Sequence, residues 1–161
     1  MADQAIVNAS PLICLSRAGL IDLLRQAART IIVPAAVARE ILARGPSDVT
    51  ANAVATSTWM KRVDDIAIPP NVLAWDLGDG ESSVLAFALS HPGTPAIIDD
   101  LEGRRCAESL GITLRGTVGL VLRARRSGLI ESARDALERL RRGGMYLSDR
   151  LCAEVLKEVG E

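Results

Sequence analysis

The sequence is poor in aromatic residues: Phe87, Tyr146, Trp59 and Trp75 are the only ones among 161 residues. Hydrophobic residues nevertheless make up 48% of the chain. Its core must therefore consist of Leu, Ile, Val and Ala, and such a composition argues against disorder over most of the length. We expect one domain over residues 1–161, because a chain of this size can bury about two-thirds of the surface that its unfolded form exposes.

Motifs for several kinds of chemistry are also missing. The three cysteines form no C-x-x-C pair and the chain has a single histidine, which argues against a disulfide framework and a zinc site. Glycine-rich phosphate loops and Ser-His-Asp or Cys-His catalytic motifs are absent. Because no apolar run approaches the roughly 18 residues of a membrane span and no leader pattern is visible, we expect a cytoplasmic protein without a membrane partner.

Lysine is scarce as well, since 17 of the 19 basic residues are arginine. Residues 101–150 hold 11 arginines against 6 acidic residues, whereas residues 1–100 hold 7 basic residues against 11 acidic ones. An acidic first part and a basic later part fit a metal-dependent enzyme that acts on phosphodiesters. A solvated helical surface explains the same distribution.

Short apolar strands alternate with helical patterns along the whole chain. We predict strands over residues 5–8, 30–33, 63–68, 95–98 and 112–114. Helices are predicted after Pro11 and around Leu20–Leu24, and over residues 35–43, 82–90, 102–110, 118–126, 131–142 and 148–159. This alternation predicts an α/β fold, a three-layer α/β/α sandwich around a central parallel sheet with Rossmann-like topology.

Polar and acidic side chains follow two of the predicted strands. Asn8 ends the first strand and Asp99-Asp100 end a later one, while Glu40 and Glu81 border the apolar faces of intervening helices. Ligands of parallel sheets bind beyond the carboxyl ends of the strands. Because carboxylates that converge there repel one another without a cation, the pattern indicates a hard divalent metal.

Local structural roles would explain each acid equally well. Glu40 can pair with Arg44 one turn on, Glu81 can complement the dipole of its helix, and Asp99 can cap the next helix with Glu102 in capping-box register. Two adjacent aspartates exceed what one cap requires, however, so we predict a ligand role for at least one of them.

Three polar, uncharged residues lie at or near these strand ends. Asn8 offers an amide oxygen and Ser10 a hydroxyl to a cation, although turn and capping chemistry accounts for both. Thr117, preceded by Gly116, can present a backbone N–H and a hydroxyl to an anion at a helix start or serve as an ordinary cap.

Five segments in order carry a resemblance to the PIN-domain, VapC-like ribonuclease superfamily. They are Asn8-Ala9-Ser10-Pro11-Leu12-Ile13, Val33-Pro34 with Val37 and Glu40-Ile41, Gly78-Asp79-Gly80-Glu81 with Val84 and Ala88, Ile97-Ile98-Asp99-Asp100 with Arg104 and Ala107, and Gly116-Thr117 with Gly119. The chain resembles the branch with an N-A-S-P-L-I start and a D-D-x-x-G-R segment.

This resemblance implies a Mg²⁺- or Mn²⁺-dependent endoribonuclease, commonly the toxin of a VapBC-type toxin–antitoxin pair. It implies metal ligands or catalytic residues at Asn8, Glu40, Glu81 and Asp100, with Asp99 as a close substitute for the last. Ser10 and Thr117 are expected to hydrogen-bond to this set. We place Arg104, Arg105 and Arg115 nearest the RNA backbone.

Asn8 stands where the family has its first aspartate, so one negative charge is missing. Two functions therefore remain open: a metal-dependent ribonuclease, and a catalytically weak or silent PIN-like module that binds RNA or a partner protein. The missing phosphate loop disfavours a third, a Rossmann-like small-ligand binder.

The expected partners are RNA, a small antitoxin and a second copy of the chain. A homodimer face could lie on the C-terminal helices, whose apolar residues could equally close the core. These residues are Val118, Leu120, Val121, Leu137, Leu140, Leu151 and Val155.

Overall fold

The computed structural model describes residues 2–161 and contains five strands, all parallel. They are β1 (Ala2–Val7), β2 (Ala28–Pro34), β3 (Met60–Val63), β4 (Ala96–Ile97) and β5 (Leu114–Arg115). Their order in the sheet is β3-β2-β1-β4-β5. The middle strand, β1, aligns Ile6 with Ile32 of β2 and with Ala96 of β4. The carboxyl ends of all five strands therefore share one edge.

Nine α-helices and one 3-10 helix, Ile21–Gln26, connect and cover these strands within residues 2–161. The α-helices are α1 (Ala9–Arg17), α2 (Ala35–Leu42), α3 (Val49–Thr56), α4 (Pro70–Leu73), α5 (Asp79–Ser90), α6 (Leu101–Ser109), α7 (Thr117–Arg126), α8 (Ala133–Arg142) and α9 (Asp149–Glu158). Helix α5 contacts β1, β2, β4 and α6, whereas α1 contacts α3 and α8. The result is a PIN-like α/β/α sandwich, as the sequence predicts.

The core lies on β1, β2 and β4, where every residue from Ala5 to Val7, from Ile31 to Pro34 and from Pro95 to Ile98 is buried. Such continuous apolar strands are typical of a sheet covered on both faces. Residues 82–88 of helix α5 are buried as well. This rigid centre holds the polar strand ends in place.

Gly19 ends α1, as its position in the sequence indicates. Its φ of +68° lies in the left-handed region, where a side chain would be strained. The Leu20 N–H donates to the carbonyl of Leu15 at 2.8 Å, and the Gly19 N–H donates to that of Ser16 at 3.1 Å. These two bonds form a Schellman motif, after which the six-residue 3-10 helix takes the place of the predicted second α-helix.

The predicted third strand, residues 63–68, is wrong except at Val63. Strand β3 begins at Met60 and ends where Val63 aligns with Pro34, the last residue of β2. Beyond that point residues 64–68 have no neighbouring strand to pair with. The four-residue α4, with Pro70 in its first turn, is missing from the sequence prediction because it is too short to show a periodic pattern.

The C-terminal helices mostly close the core. Five of the seven apolar residues considered for a homodimer face are buried within the chain itself, and Val118 is half-buried. Leu151 is exposed. Over residues 2–161 no helix combines the length and the apolar character that crossing a bilayer would require.

Candidate active site

A cleft of about 470 Å³ opens at the carboxyl ends of β1 and β2. It is lined by residues of three segments: the start of α1 with the residue before it, helix α2, and the first turn of α5 with the residue before it. The lining residues are Asn8, Ala9, Ser10, Ala36, Arg39, Glu40, Gly78, Asp79, Gly80 and Glu81. Four of the predicted site residues, Asn8, Ser10, Glu40 and Glu81, thus come together here.

Asn8 provides a buried amide on the floor of this cleft. The residue is 5% exposed, and its side chain does not cap α1, whose first residue follows it. Because Asn8 lines the cleft and its side chain makes no capping bond, its amide oxygen is available to a ligand there.

Gly80 leaves space between Asn8 and Glu40. A Cβ atom at this position would lie 3.4 Å from Asn8 Oδ1 and 3.6 Å from Glu40 Oε2. Both oxygens therefore border the space beside Gly80, as does Val37 Cγ2 at 3.3 Å, and any other residue at this position would place a side chain there. Glu40 makes no ion pair with Arg44, which binds Asp48 instead at 3.0 Å, so that structural alternative is wrong.

Glu81 has the helix-capping role that its position in the first turn allows. One of its carboxylate oxygens accepts a hydrogen bond from the Gly78 N–H at 3.2 Å. Asp79 also lines the cleft, although the sequence analysis did not single it out. Its signal is its place between the two glycines of the Gly78–Glu81 segment.

The two aspartates after β4 have separate roles, and the expected cap is shifted by one residue. Asp100, not Asp99, caps α6 by accepting a hydrogen bond from the Gly103 N–H at 2.8 Å. Glu102 pairs with Arg105 at 2.9 Å and takes no part in a capping box with Asp99. Neither aspartate lines the cleft.

Asp99 is bound by the start of α7. The Thr117 N–H donates to one of its carboxylate oxygens at 2.8 Å, and the Thr117 hydroxyl donates to the other at 2.5 Å. The predicted anion at this helix start is therefore the chain's own carboxylate. Thr117 is fully buried, so the pair fixes the end of β4 against α7.

Cys14 lies between this pair and the cleft. Burial raises the pKa of its thiol, and the nearby charge of Asp99 raises it further, while a hydrogen bond with Ser10 lowers it in part. Cys14 follows Ser10 by one turn of α1. Ser10 and Asp99 are consequently both neighbours of the Cys14 thiol.

The three arginines expected near RNA lie outside the cleft. Arg104 donates to the Ile98 carbonyl at 2.9 Å and Arg115 to the Leu114 carbonyl at 3.0 Å, whereas Arg105 holds Glu102. The buried Nε of Arg115 has no hydrogen-bond partner among residues 2–161. The cation that does line the cleft is Arg39, which the sequence analysis did not select.

Within residues 2–161, no three His, Cys, Asp or Glu side chains approach closely enough to form a metal site together. The donor set at Gly80 is smaller: an amide oxygen and one carboxylate oxygen beside an open cleft. Mg²⁺ accepts such a set, because it keeps several waters and needs only one or two protein carboxylates. The residues present therefore fit a hydrated divalent ion.

A parallel five-stranded sheet covered by helices, with an acidic cleft at its strand ends, is consistent with a PIN-like α/β/α sandwich. The family model described as DUF3368, PIN domain, matches residues 4–161, and the chain belongs to this family. PIN domains are generally nucleases, typically use divalent metals and act on nucleic acids. No curated protein and no solved structure matches the chain significantly.

Proposed function

We propose that the chain is a metal-dependent endoribonuclease whose active site is the cleft at Asn8, Glu40 and Glu81. The observation that carries this proposal is that Asn8 Oδ1 and Glu40 Oε2 lie 3.4 Å and 3.6 Å from the position that a Cβ atom of residue 80 would take, beside the cleft. Mg²⁺ or Mn²⁺ is the proposed cofactor. When bound, such an ion supplies an acidified water and charge stabilisation for the phosphate.

The side chains of the cleft have distinct roles in this proposal. Asn8 and Glu40 would hold the ion, and Glu40 would accept the proton of the attacking water. The water oxygen bonds to phosphorus, the bond to the leaving ribose oxygen breaks, and that oxygen takes a proton from solvent. Glu81 keeps the first turn of α5 in place through the Gly78 N–H and adds negative charge.

The aspartates after β4 are proposed to support the cleft. Asp100, which uses one carboxylate oxygen as a helix cap, is proposed as an additional ligand, with Asp99 as its close substitute. Thr117 would then orient Asp99 through its two hydrogen bonds. Arg104, Arg105 and Arg115 would contact RNA that extends beyond β4.

The test is cleavage of a labelled single-stranded RNA by the purified chain with Mn²⁺, Mg²⁺ or EDTA. We expect metal-dependent cleavage that falls by about 100-fold or more in Glu40→Gln, since even the partners of ligands affect activity by about 10- to 100-fold. Glu154→Gln is the matched control, because Glu154 is exposed on α9 and pairs with Arg150. Equal cleavage by both variants would contradict the proposal.

A second candidate function is a PIN-like module that binds RNA or a partner protein without cleaving. The amide at Asn8 and the lack of a three-carboxylate cluster in residues 2–161 favour it. RNA binding without cleavage under any of these metal conditions would support this function.

The proposed biological role is that of the toxin in a type II toxin–antitoxin pair, with a small antitoxin covering the acidic cleft. Expression of the chain should then arrest growth, and co-expression of a small protein encoded beside it should relieve the arrest. Normal growth on expression of a cleavage-active chain would contradict this role.

A further inference from the structure

Arg39 is the one cationic side chain that lines the cleft in the described part of the chain, residues 2–161. The other charged lining residues are Glu40, Asp79 and Glu81. A phosphodiester that enters this cleft is repelled by three carboxylates. Arg39 is therefore the residue placed to attract the phosphate.

The guanidinium of Arg39 binds a carboxylate in a bidentate arrangement. Its Nη1 donates to Asp65 Oδ2 and its Nη2 to Asp65 Oδ1, both at 3.0 Å. Asp65 lies in the segment between β3 and α4. A phosphate group offers two oxygens to the same planar fork, so Asp65 takes the position that a phosphate would take.

The ion pair is open to exchange. The side chain of Arg39 is 63% exposed and that of Asp65 is 66% exposed, and exposed pairs are weak because water solvates both partners. The hydrogen bonds from Arg39 lower the pKa of Asp65, which keeps this carboxylate charged at neutral pH. RNA can displace it without disturbing the core.

We propose that Arg39 binds the RNA phosphodiester in the cleft and that Asp65 competes with RNA for this arginine. The inference rests on the proposed nuclease function and names the residue that positions its substrate. Asp65 is then an internal competitor that keeps RNA affinity low. A merely structural pair would instead tie α2 to the segment after β3 and would have no influence on RNA.

The test is the affinity for a fluorescein-labelled single-stranded RNA, measured by anisotropy in EDTA so that no cleavage occurs. Asp65→Asn should tighten binding by about 3- to 10-fold and Arg39→Gln should weaken it by a similar factor, the size of one phosphate contact. In the Arg39→Gln background, Asp65→Asn should change nothing, because its effect acts through Arg39.

Glu158→Gln is the control for net charge. It removes one negative charge, as Asp65→Asn does, and releases Arg126 from a pair of similar exposure, 58% and 54%, outside the cleft. This control should leave RNA affinity within about twofold of the unmodified chain, since charges beyond a Debye length are screened. Circular dichroism of each variant checks that the fold is retained.

The outcomes separate this inference from the proposed function. The role of Arg39 is overturned if Asp65→Asn does not tighten RNA binding, or tightens it only as much as Glu158→Gln does. It is also overturned if Asp65→Asn tightens binding by the same factor when Arg39 is already replaced by Gln. Each of these results counts against Arg39 even if the unmodified chain cleaves the RNA with Mn²⁺. Tighter binding through Arg39 without any cleavage supports the inference and overturns the nuclease proposal alone.

Discussion

Among single residues, Asn8 leaves the cleft without a negative charge at the position where the resemblance places an aspartate. The residue is 5% exposed, its side chain does not cap α1, and its amide oxygen borders the same space beside Gly80 as a carboxylate oxygen of Glu40. An amide oxygen can bind Mg²⁺ but contributes no charge. The affinity of the cleft for a cation is therefore expected to be low for this residue set.

We predict that Asn8→Asp tightens Mn²⁺ binding about 10-fold and speeds RNA cleavage, because a carboxylate adds one negative charge at a metal ligand. Without metal the buried charge should lower the melting temperature, and Mn²⁺ should restore it. Calorimetry and thermal melts measure both effects. Asn71→Asp, at an exposed residue of α4, is the control, and equal behaviour of the two variants would exclude Asn8 from the site.

Glu81 combines a structural role with a proposed catalytic one, and two substitutions separate them. Gln at this position keeps an oxygen for the Gly78 N–H but loses the charge, whereas Ala loses both. We predict that both variants lose RNA cleavage and that only Glu81→Ala lowers the melting temperature, since a lost cap costs about 0.5–2 kcal/mol. Full cleavage by Glu81→Gln would restrict Glu81 to its capping role.

Between elements, a buried hydrogen bond joins α1 to α3. The hydroxyls of Ser16 and Thr50 lie 2.5 Å apart, and Ser16 Oγ also lies 2.7 Å from the Leu12 carbonyl. Ser16 has one hydroxyl hydrogen, which it donates to Leu12, so Thr50 donates to Ser16. This bond fixes the helix that carries Ser10.

We predict that Thr50→Val lowers the free energy of unfolding by about 1–3 kcal/mol, because the substitution leaves a buried acceptor without its donor. Urea unfolding measures the change. Thr58→Val, at an exposed position, should stay within about 0.5 kcal/mol of the unmodified chain. A similar loss of unfolding free energy in both variants would show that the Ser16–Thr50 bond does not stabilise the fold.

The sequence predicts most elements because their signals are local. Gly19 ends α1 and Pro34 precedes α2 in both the prediction and the structure. The position of β3 depends instead on where its neighbour β2 ends, and which aspartate caps α6 depends on a one-residue shift of the helix start. Such facts follow from tertiary pairing, which local patterns do not contain.

The residues of the cleft also divide into those that local sequence patterns predict and those that depend on tertiary pairing. Asn8, Glu40 and Glu81 were selected because strand ends and helix faces can be inferred from periodicity. The pairing of Arg39 with Asp65, 26 residues apart, depends on the path of the chain after β3. Local sequence patterns do not contain this path, and the sequence predicts Arg104, Arg105 and Arg115 near RNA instead. Their role in RNA contact remains a prediction.

Across the whole molecule, the basic charge of the C-terminal helices is largely used in ion pairs within the chain. Five arginines of α7, α8 and α9 bind acidic residues of the same region. Ion pairing within the chain therefore explains the arginine-rich later part of the sequence as well as RNA binding does. The pairs are Arg125–Glu161, Arg126–Glu158, Arg139–Asp135, Arg141–Asp149 and Arg150–Glu154.

Glu161 is the most extensively bonded of these acids. Its carboxylate accepts from the backbone N–H groups of Ala133 and Arg134 at the start of α8, and from the side chains of Arg125 and Ser132. These bonds, the two backbone ones first, lower the pKa of Glu161 from 4.5 to about 2. The charged form therefore stabilises the packing of α7, α8 and the end of α9.

We predict that Glu161→Gln lowers the melting temperature at pH 7 and that the difference from the unmodified chain shrinks as the pH falls. The stabilisation is complete above the unfolded pKa of 4.5 and disappears as the pH drops toward about 2, because the folded state then loses its charged carboxylate. Melts between pH 7 and pH 2.5 test this. A constant difference would contradict the role of the charge, and Glu158→Gln, in an exposed pair, should have a smaller effect.

The central claim is that the cleft above Gly80 binds a divalent cation, and calorimetric titration of Mn²⁺ tests it most directly. The account predicts saturable binding to the unmodified chain that is lost in Glu40→Gln and kept in Glu154→Gln. No binding to the unmodified chain, or equal binding to all three proteins, would contradict it.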